Sequence, residues 1–219
     1  MNEELSHYGD PVKEQRALEN GMAWAELFDQ EILQIVGPDR FGWLQGIATQ
    51  NFENYSGGWS SSLILDHLGH IEHQFLFFDD GNASYLVVDQ GRLTALHDYL
   101  LKMRFMLRVE LKDVTSQKLL IKIPGKTDEI GGPYRLIDRD QLDQITEAYA
   151  GFTKVGSWAL EAERIAQLRP RLGFETDHKT IPNELGLLNK AVHMNKGCYR
   201  GQETVAKVAN LGQPPRKLV

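Results

Sequence analysis

The single cysteine of this chain, Cys198, lies in the stretch NKGCYRGQETVAK, residues 195–207. Lys196 and Arg200 stand two residues away on either side, Gly197 and Gly201 lie close, and Gln202-Glu203 follow. Structural cysteines sit among apolar residues and are inert, whereas nearby cations and a helix N-terminus favour the reactive thiolate. The residues from Thr204 to Leu211 are weakly helical, which places Cys198 just ahead of a helix start and its dipole. Such a thiol could act as a nucleophile or a redox group. The competing reading is a small residue filling a tight, glycine-flanked turn. His193, five residues upstream, is a conceivable base for a Cys–His dyad.

A second group lies upstream, in RPRLGFETDHKTIPNELGLL, with Arg164 on the element before it. Arg164, Arg169 and Arg171 are the residue type that clamps a carboxylate bidentately. Glu184 follows Pro182 where a helix cannot continue, so its carboxylate is expected to be held in place. A rigid carboxylate accepts a paired donor face, such as the amino and ring N–H groups of a pterin or guanine. Charged loops are more commonly solvated surface, and that is the competing reading here. A third group is His67, His70 and His73, with Glu72 among them. Gly69 interrupts the segment, and strand alternation would send His70 and His73 to opposite faces, so no metal site is expected. Neither an HExxH motif nor a serine-nucleophile elbow is present.

The bulk properties narrow the setting. The chain has 219 residues, 42% hydrophobic and 25% charged, as in an ordinary globular protein with a sizeable core. Its net charge of −6 argues against a nucleic-acid partner, which calls for a basic footprint. Apolar runs such as residues 75–78 and 85–88 are strand-sized, far short of the roughly 18–20 residues of a membrane helix. The opening MNEELSHYGDP has no apolar core of a signal peptide. One cysteine excludes an internal disulfide and cysteine-rich clusters built from this chain alone, and a reducing cytosol is the simplest compartment.

The elements that must position these groups follow from periodicity and punctuation. Asp10 and Pro11 read as N-cap and first residue of a short helix stopped by Gly21. A strand, EILQIVG, leads into a helix from Pro38 carrying Phe41, Leu44, Ile47 and Ala48. Three strands follow over 59–66, 70–78 and 83–89, joined at Leu68-Gly69 and at the turn sequence Asp79-Asp80-Gly81-Asn82. A helix bearing Leu93, Leu96, Leu100 and Met103 and a strand over 108–114 complete an α+β domain with helices on one face. A second, smaller α+β unit is expected from strands 118–124 and 134–139 and helices 141–149 and 157–168. Residues 169–196 read as an ordered loop of the length that often carries function.

The motif KGCYRGQE resembles the signature of the YgfZ family, the folate-binding relatives of the glycine-cleavage T-protein that support iron–sulfur enzymes. Upstream, ERIAQLRPRLGFETDHKTIPNELGLLNKAVHMNKGCYRGQE is similar to the family's Arg-Pro-Arg-x-Gly turn, Pro-x-Glu and Lys-Gly-Cys-Tyr succession. EILQIVGPDRFGWLQGIATQNF resembles its first strand and helix, so the likeness runs from Ala25 to Leu218.

The resemblance implies two ferredoxin-like antiparallel-sheet subdomains around a tetrahydrofolate site, at residues 25–115 and 116–212, after an N-terminal extension over 1–24. Residues 213–219 would be a linker stub to a C-terminal β-barrel that the chain does not reach. It further implies Cys198 and Lys196 as catalytic residues, with Glu184, Tyr199, Gln202, Glu203, Arg164 and Arg171 binding tetrahydrofolate or a folate derivative. Glu184 would face the pterin and the arginines the glutamate tail. Iron–sulfur client or assembly proteins are the implied partners. The T-protein's Gly-Gly-Ile turn leads into paired aspartates, and the corresponding Leu68-Gly69-His70-Ile71-Glu72-His73 has none, which argues against glycine-cleavage chemistry. A folate-dependent aminomethyltransferase or demethylase, with Glu72 replacing the lost aspartate, is the second expectation. A non-catalytic module that holds a partner through residues 169–196 is the third.

Overall fold

The computed structural model describes residues 5–218, so the first four residues of the expected N-terminal extension and Val219 lie outside it. The chain forms two compact units that are interleaved in sequence rather than consecutive. One comprises residues up to Ile32 and Asp113–Arg169, the other Leu33–Lys112 and Pro170 onward.

In chain order the elements are α1 (Pro11–Glu19), β1 (Ala23–Leu27), β2 (Gln30–Val36), α2 (Arg40–Ile47), β3 (Ser60–Leu65), β4 (Ile71–Asp79) and β5 (Ala83–Asp89). There follow α3 (Leu93–Met103), β6 (Glu110–Asp113), β7 (Lys118–Lys122), β8 (Tyr134–Asp138), α4 (Leu142–Ala148), β9 (Thr153–Lys154), α5 (Ser157–Ala166) and α6 (Gln202–Leu211).

The first unit is built on a four-stranded sheet of order β8-β7-β1-β9. The Asp10 carboxylate caps α1 by accepting the Val12 and Lys13 N–H groups at 3.1 Å. β1 then runs through the middle of the sheet, antiparallel to β7 and parallel to β9. The described residues from 5 to 24, with α1 and the start of β1, are therefore part of the unit and not an extension, and the sheet is not wholly antiparallel. Successive β1 side chains face opposite sides. Trp24 packs with Leu119, Ile121, Ile137 and the α4 residue Ile145. Ala23 and Ala25 pack with Leu18 of α1 and Ala159 of α5. Small residues on that face let two helices approach the sheet. Inside this unit Lys122 is buried and donates to Glu163 at 2.7 Å, and Arg169 holds the same carboxylate at 2.9 Å.

The second unit carries a five-stranded sheet of order β3-β4-β5-β2-β6. One face packs α2 and α3 through Leu44, Ile47, Leu96 and Leu100 against Ile35, Ile64, Phe77 and Leu86. The alternate residues of β3, Leu63 and Leu65, point the other way. They join a second cluster with Ile71, Leu185, Leu187, Ala191, Val192, Tyr199 and Val205. The ordered loop expected over 169–196 is thus a packed segment covering one sheet face. Its regular pieces are a 3-10 turn at Pro182–Leu185 and an isolated bridge between Leu188 and Val192. No helix among the described residues is long and apolar enough to cross a membrane.

Candidate functional site

The Cys198 segment is pinned on both sides. Lys196 and Tyr199 are 8% and 7% exposed, whereas Gly197, Cys198 and Arg200 are exposed. Lys196 does not turn its ammonium to the thiol. Its Nζ donates to the backbone carbonyls of Gln45 at 2.7 Å, Ala48 at 2.5 Å and Gln50 at 2.7 Å. Those carbonyls belong to the last turn of α2 and the residues just beyond it, where the helix leaves acceptors unmet and a lysine is a favourable partner. Burial pushes the Lys196 pKa down to about 8, with Glu53 pulling the other way. The Lys196 ammonium also lies 5.4 Å from the Tyr199 ring centroid and 5.9 Å from that of Phe52. Burial raises the Tyr199 phenol to about 12, so it stays protonated at neutral pH. Lys196 thus anchors the cysteine turn to the end of α2.

Arg200, the other expected cation, pairs with Glu72 at 3.1 Å. The charges flanking Cys198 in sequence therefore have other partners in space, and the thiol stands exposed on an anchored turn. Among the described residues the His193 Nδ1 is buried without a hydrogen-bond partner, so it makes no hydrogen bond to Cys198. Gln202 and Glu203 open α6, where the Gln202 N–H donates to the Tyr199 carbonyl at 3.2 Å.

Two glycines set the path of this turn. Gly201 has φ of +80°, and a Cβ there would lie 2.5 Å from the Asp66 carbonyl oxygen and 2.9 Å from the Cα of Gly69. Gly69, at φ +87°, would in turn drive a Cβ to 2.9 Å from that of Thr204. The glycines of the β3–β4 turn and of the cysteine motif thus pack backbone to backbone. Only residues without a Cβ permit both the left-handed conformation and the approach.

Glu184 is 4% exposed and sits in the 3-10 turn, accepting the Ile181 N–H at 3.2 Å. Arg216 reaches it from the chain's last described segment, with Nε and Nη2 donating at 3.0 and 2.8 Å. The same guanidinium bonds Asp177 at 2.8 and 3.3 Å. That contact holds the Asp177 carboxyl well below the usual carboxylate range. The Leu218 N–H donates to the Glu184 carbonyl at 2.9 Å. The stretch expected as a linker is therefore docked on the loop through Arg216 and Leu218. Between loop and tail lies a cavity of about 330 Å³ lined by Phe174, Asp177, Thr180, Glu184, Arg216 and Leu218 among others.

Each arginine of the expected clamp holds partners within its own unit. Arg164 holds Glu161 at 2.5 and 2.8 Å and the Arg169 carbonyl at 2.8 Å, within the first unit. Arg171, in the second unit, holds Asp89 at 3.0 Å. The histidines also separate by role. His70 Nδ1 lies 2.9 Å from the Asp66 carboxylate. His73 packs against Tyr99, and its burial, with Arg92 adding repulsion, lowers its pKa to about 4.

Sequence reasoning missed Thr49 and Gln45. The Thr49 hydroxyl donates to the Ala191 carbonyl at 2.7 Å and accepts the Leu63 N–H at 2.9 Å, while its own carbonyl accepts the His193 N–H at 2.9 Å. It ties the end of α2, β3 and the approach to the cysteine turn together. Gln45 Oε1 accepts the Phe52 N–H at 2.7 Å, steadying the carbonyls that Lys196 caps. Neither belongs to a recognisable motif; Gln45 is a polar residue inside an apolar helix pattern, and Thr49 follows just beyond the helix end.

No family model matches the chain. It is 28% identical over 88% of its length to a chloroplastic protein of Arabidopsis thaliana described as a transferase, and spans 54% of that relative. It is 26% identical over 88% of its length to an uncharacterized protein of Haemophilus influenzae, spanning 70% of it. A mitochondrial homologue of the iron–sulfur cluster assembly factor IBA57 from Cryptococcus neoformans is 29% identical over 42% of this chain and 25% of its own length. Among solved structures, the glycine cleavage system aminomethyltransferase T from Bartonella henselae superposes with a TM-score of 0.74 at 14% identity, over 92% of this chain and 67% of that one. The chain therefore has the aminomethyltransferase T fold over nearly its whole length, and spans about half the length of its Arabidopsis relative.

Proposed function

We propose that this chain is a tetrahydrofolate-binding accessory protein in the assembly or repair of iron–sulfur enzymes, with Cys198 as its working thiol. The observation that carries the reading is the exposed Cys198 held between two buried anchors, Lys196 and Tyr199. A structural cysteine would be turned inward, whereas this one is held outward on a backbone fixed by three ammonium–carbonyl contacts. An outward thiol on a fixed turn can engage a partner's cluster or cysteine without reorganising its own support. Similarity to an IBA57 homologue supports the iron–sulfur setting.

The residues fit the pterin end of a folate. Glu184 offers a held carboxylate at a cavity of about 330 Å³, and Phe174 supplies an apolar wall. Pockets of ~300–1,000 Å³ with few polar groups are the usual size for such ligands. Arg164, Arg169 and Arg171, the arginines suited to the glutamate tail, each also hold an acidic side chain of this chain. When bound, tetrahydrofolate supplies a one-carbon acceptor or donor. The chain's own residues supply the seat for its ring.

The test is replacement of Cys198 by alanine in cells that depend on this chain. Activity of cluster-containing enzymes is expected to fall to the level of cells lacking the protein, with the variant present at normal abundance. Full support by the variant would refute the thiol's role. A transferase reading is favoured by the likeness to the Arabidopsis protein and to the T-protein fold. Its replacement acid, Glu72, is however tied to Arg200 at 3.1 Å. Turnover of a methylamine-type donor with tetrahydrofolate would establish it, and absence of product would remove it.

A further inference from the structure

The Glu184 carboxylate already has an occupant, and that occupant has the chemistry of the ligand it is suited to take. A guanidinium presents a flat pair of N–H donors to a carboxylate. The 2-amino and adjacent ring N–H groups of a 2-aminopyrimidin-4-one, the recognition edge of a pterin, present the same pair. Arg216 places Nε and Nη2 on the two oxygens of Glu184 at 3.0 and 2.8 Å, which is the bidentate pattern. Its side chain is half exposed at 52% while Glu184 is 4% exposed, so the arginine enters the seat from the solvent side.

The backbone follows the side chain. The Leu218 N–H donates to the Glu184 carbonyl, and Arg216, Lys217 and Leu218 form one wall of the cavity whose other wall is Phe174 to Thr180. Three further contacts, to both Asp177 oxygens and the Thr180 hydroxyl at 2.8, 3.3 and 3.4 Å, keep the guanidinium in register.

We propose that Arg216 is an internal latch: its guanidinium occupies the Glu184 seat and holds residues 216–218 over the cavity until a ligand with a 2-aminopyrimidinone edge displaces it. This rests on the folate reading above and adds the regulation of that site. Released, Arg216 retains Asp177, which lies beside Glu184, as a resting partner. Entry of ligand and opening of the tail are then one event.

The experiment uses the full chain and its R216A variant, titrated with tetrahydrofolate under anaerobic, reducing conditions and followed by tryptophan fluorescence. A latch closed in about nine chains of ten lowers apparent affinity about tenfold, so R216A should bind about ten times more tightly. Equal or weaker binding by a folded R216A overturns the latch while leaving folate binding in place. Absence of binding in both chains up to millimolar overturns the folate reading itself, and the latch's ligand with it. Trypsin gives a measurement on the unmodified chain. Cleavage after Arg216 should speed up several-fold as tetrahydrofolate saturates the site, and cleavage that slows or does not change contradicts displacement.

Discussion

Replacing Lys196 by methionine keeps most of the stem and removes the ammonium. The three carbonyls it holds at 2.5–2.7 Å, those of Gln45, Ala48 and Gln50, then lose their donor. Each buried acceptor left unmet costs about 1–3 kcal/mol, so the gross loss is about 3–9 kcal/mol. Against this stands the recovered cost of burying the charge. The displacement of the pKa from 10.5 to about 8 places that recovery at about 3 kcal/mol. The difference is about 0–6 kcal/mol, and its midpoint of about 3 kcal/mol lowers the melting temperature of a chain of this size by about 6–12 °C. The proton linkage supplies a second signature. Between about pH 8 and 10.5 the unfolded chain holds more protons at Lys196 than the folded one. The unfolding free energy of the wild type therefore rises across that window, and K196M should lack the rise. Differential scanning calorimetry of both chains from pH 7 to 10 measures the two effects together. A K196M melting temperature within 2 °C of wild type, with the same pH slope, would refute the assignment of Lys196 as the anchor of the cysteine turn.

Other outcomes follow from the same geometry. Gly201→Ala puts a Cβ 2.5 Å from the Asp66 oxygen at a φ of +80°, so the turn must shift. A left-handed residue with a Cβ costs about 1–2 kcal/mol before that clash is counted, and the variant should melt several degrees lower and lose cluster-enzyme support in cells. His73, with its pKa near 4, binds fewer protons folded than unfolded between pH 4 and 6.5. Wild-type stability should thus fall as pH drops through that range, and H73F should fall less, as chemical denaturation at pH 7 and pH 5 would show. Lys122→Ala strips the buried partner of Glu163 in the other unit, leaving Arg169 as its remaining cation. Destabilisation of about 3 kcal/mol is expected in urea titrations, and a loss below 1 kcal/mol would contradict the pairing.

Much of the fold was written in local signals. Glycine and aspartate turns marked the β3–β4–β5 meander, Asp10-Pro11 marked α1, and the leucine spacing of α3 matched its buried stripe. β1 escaped notice because AWAEL carries alanines and a glutamate, residues depleted in strands, and lacks β-branched residues. Its place is set by partners about 95 and 130 residues downstream, β7 and β9, and no local pattern announces them. The cysteine motif was legible as a motif, yet the aim of its charges was not. A lysine stem can carry its charge away from a sequence neighbour, and Lys196 carries it to the end of α2. Arg164, Arg169 and Arg171 looked convergent because they are close in sequence, and each instead meets its own acidic partner. Glu184 was expected to be held, and it is, although the holder, Arg216, came from a tail read as a linker.

The most direct test of the account is a titration of the purified chain and its E184Q variant with tetrahydrofolate, anaerobic and reduced, by isothermal calorimetry. Saturable binding to the wild type is expected, with a loss of at least tenfold in an E184Q variant that is still folded by circular dichroism. Equal binding by both chains, or none by the wild type at millimolar ligand, would contradict it.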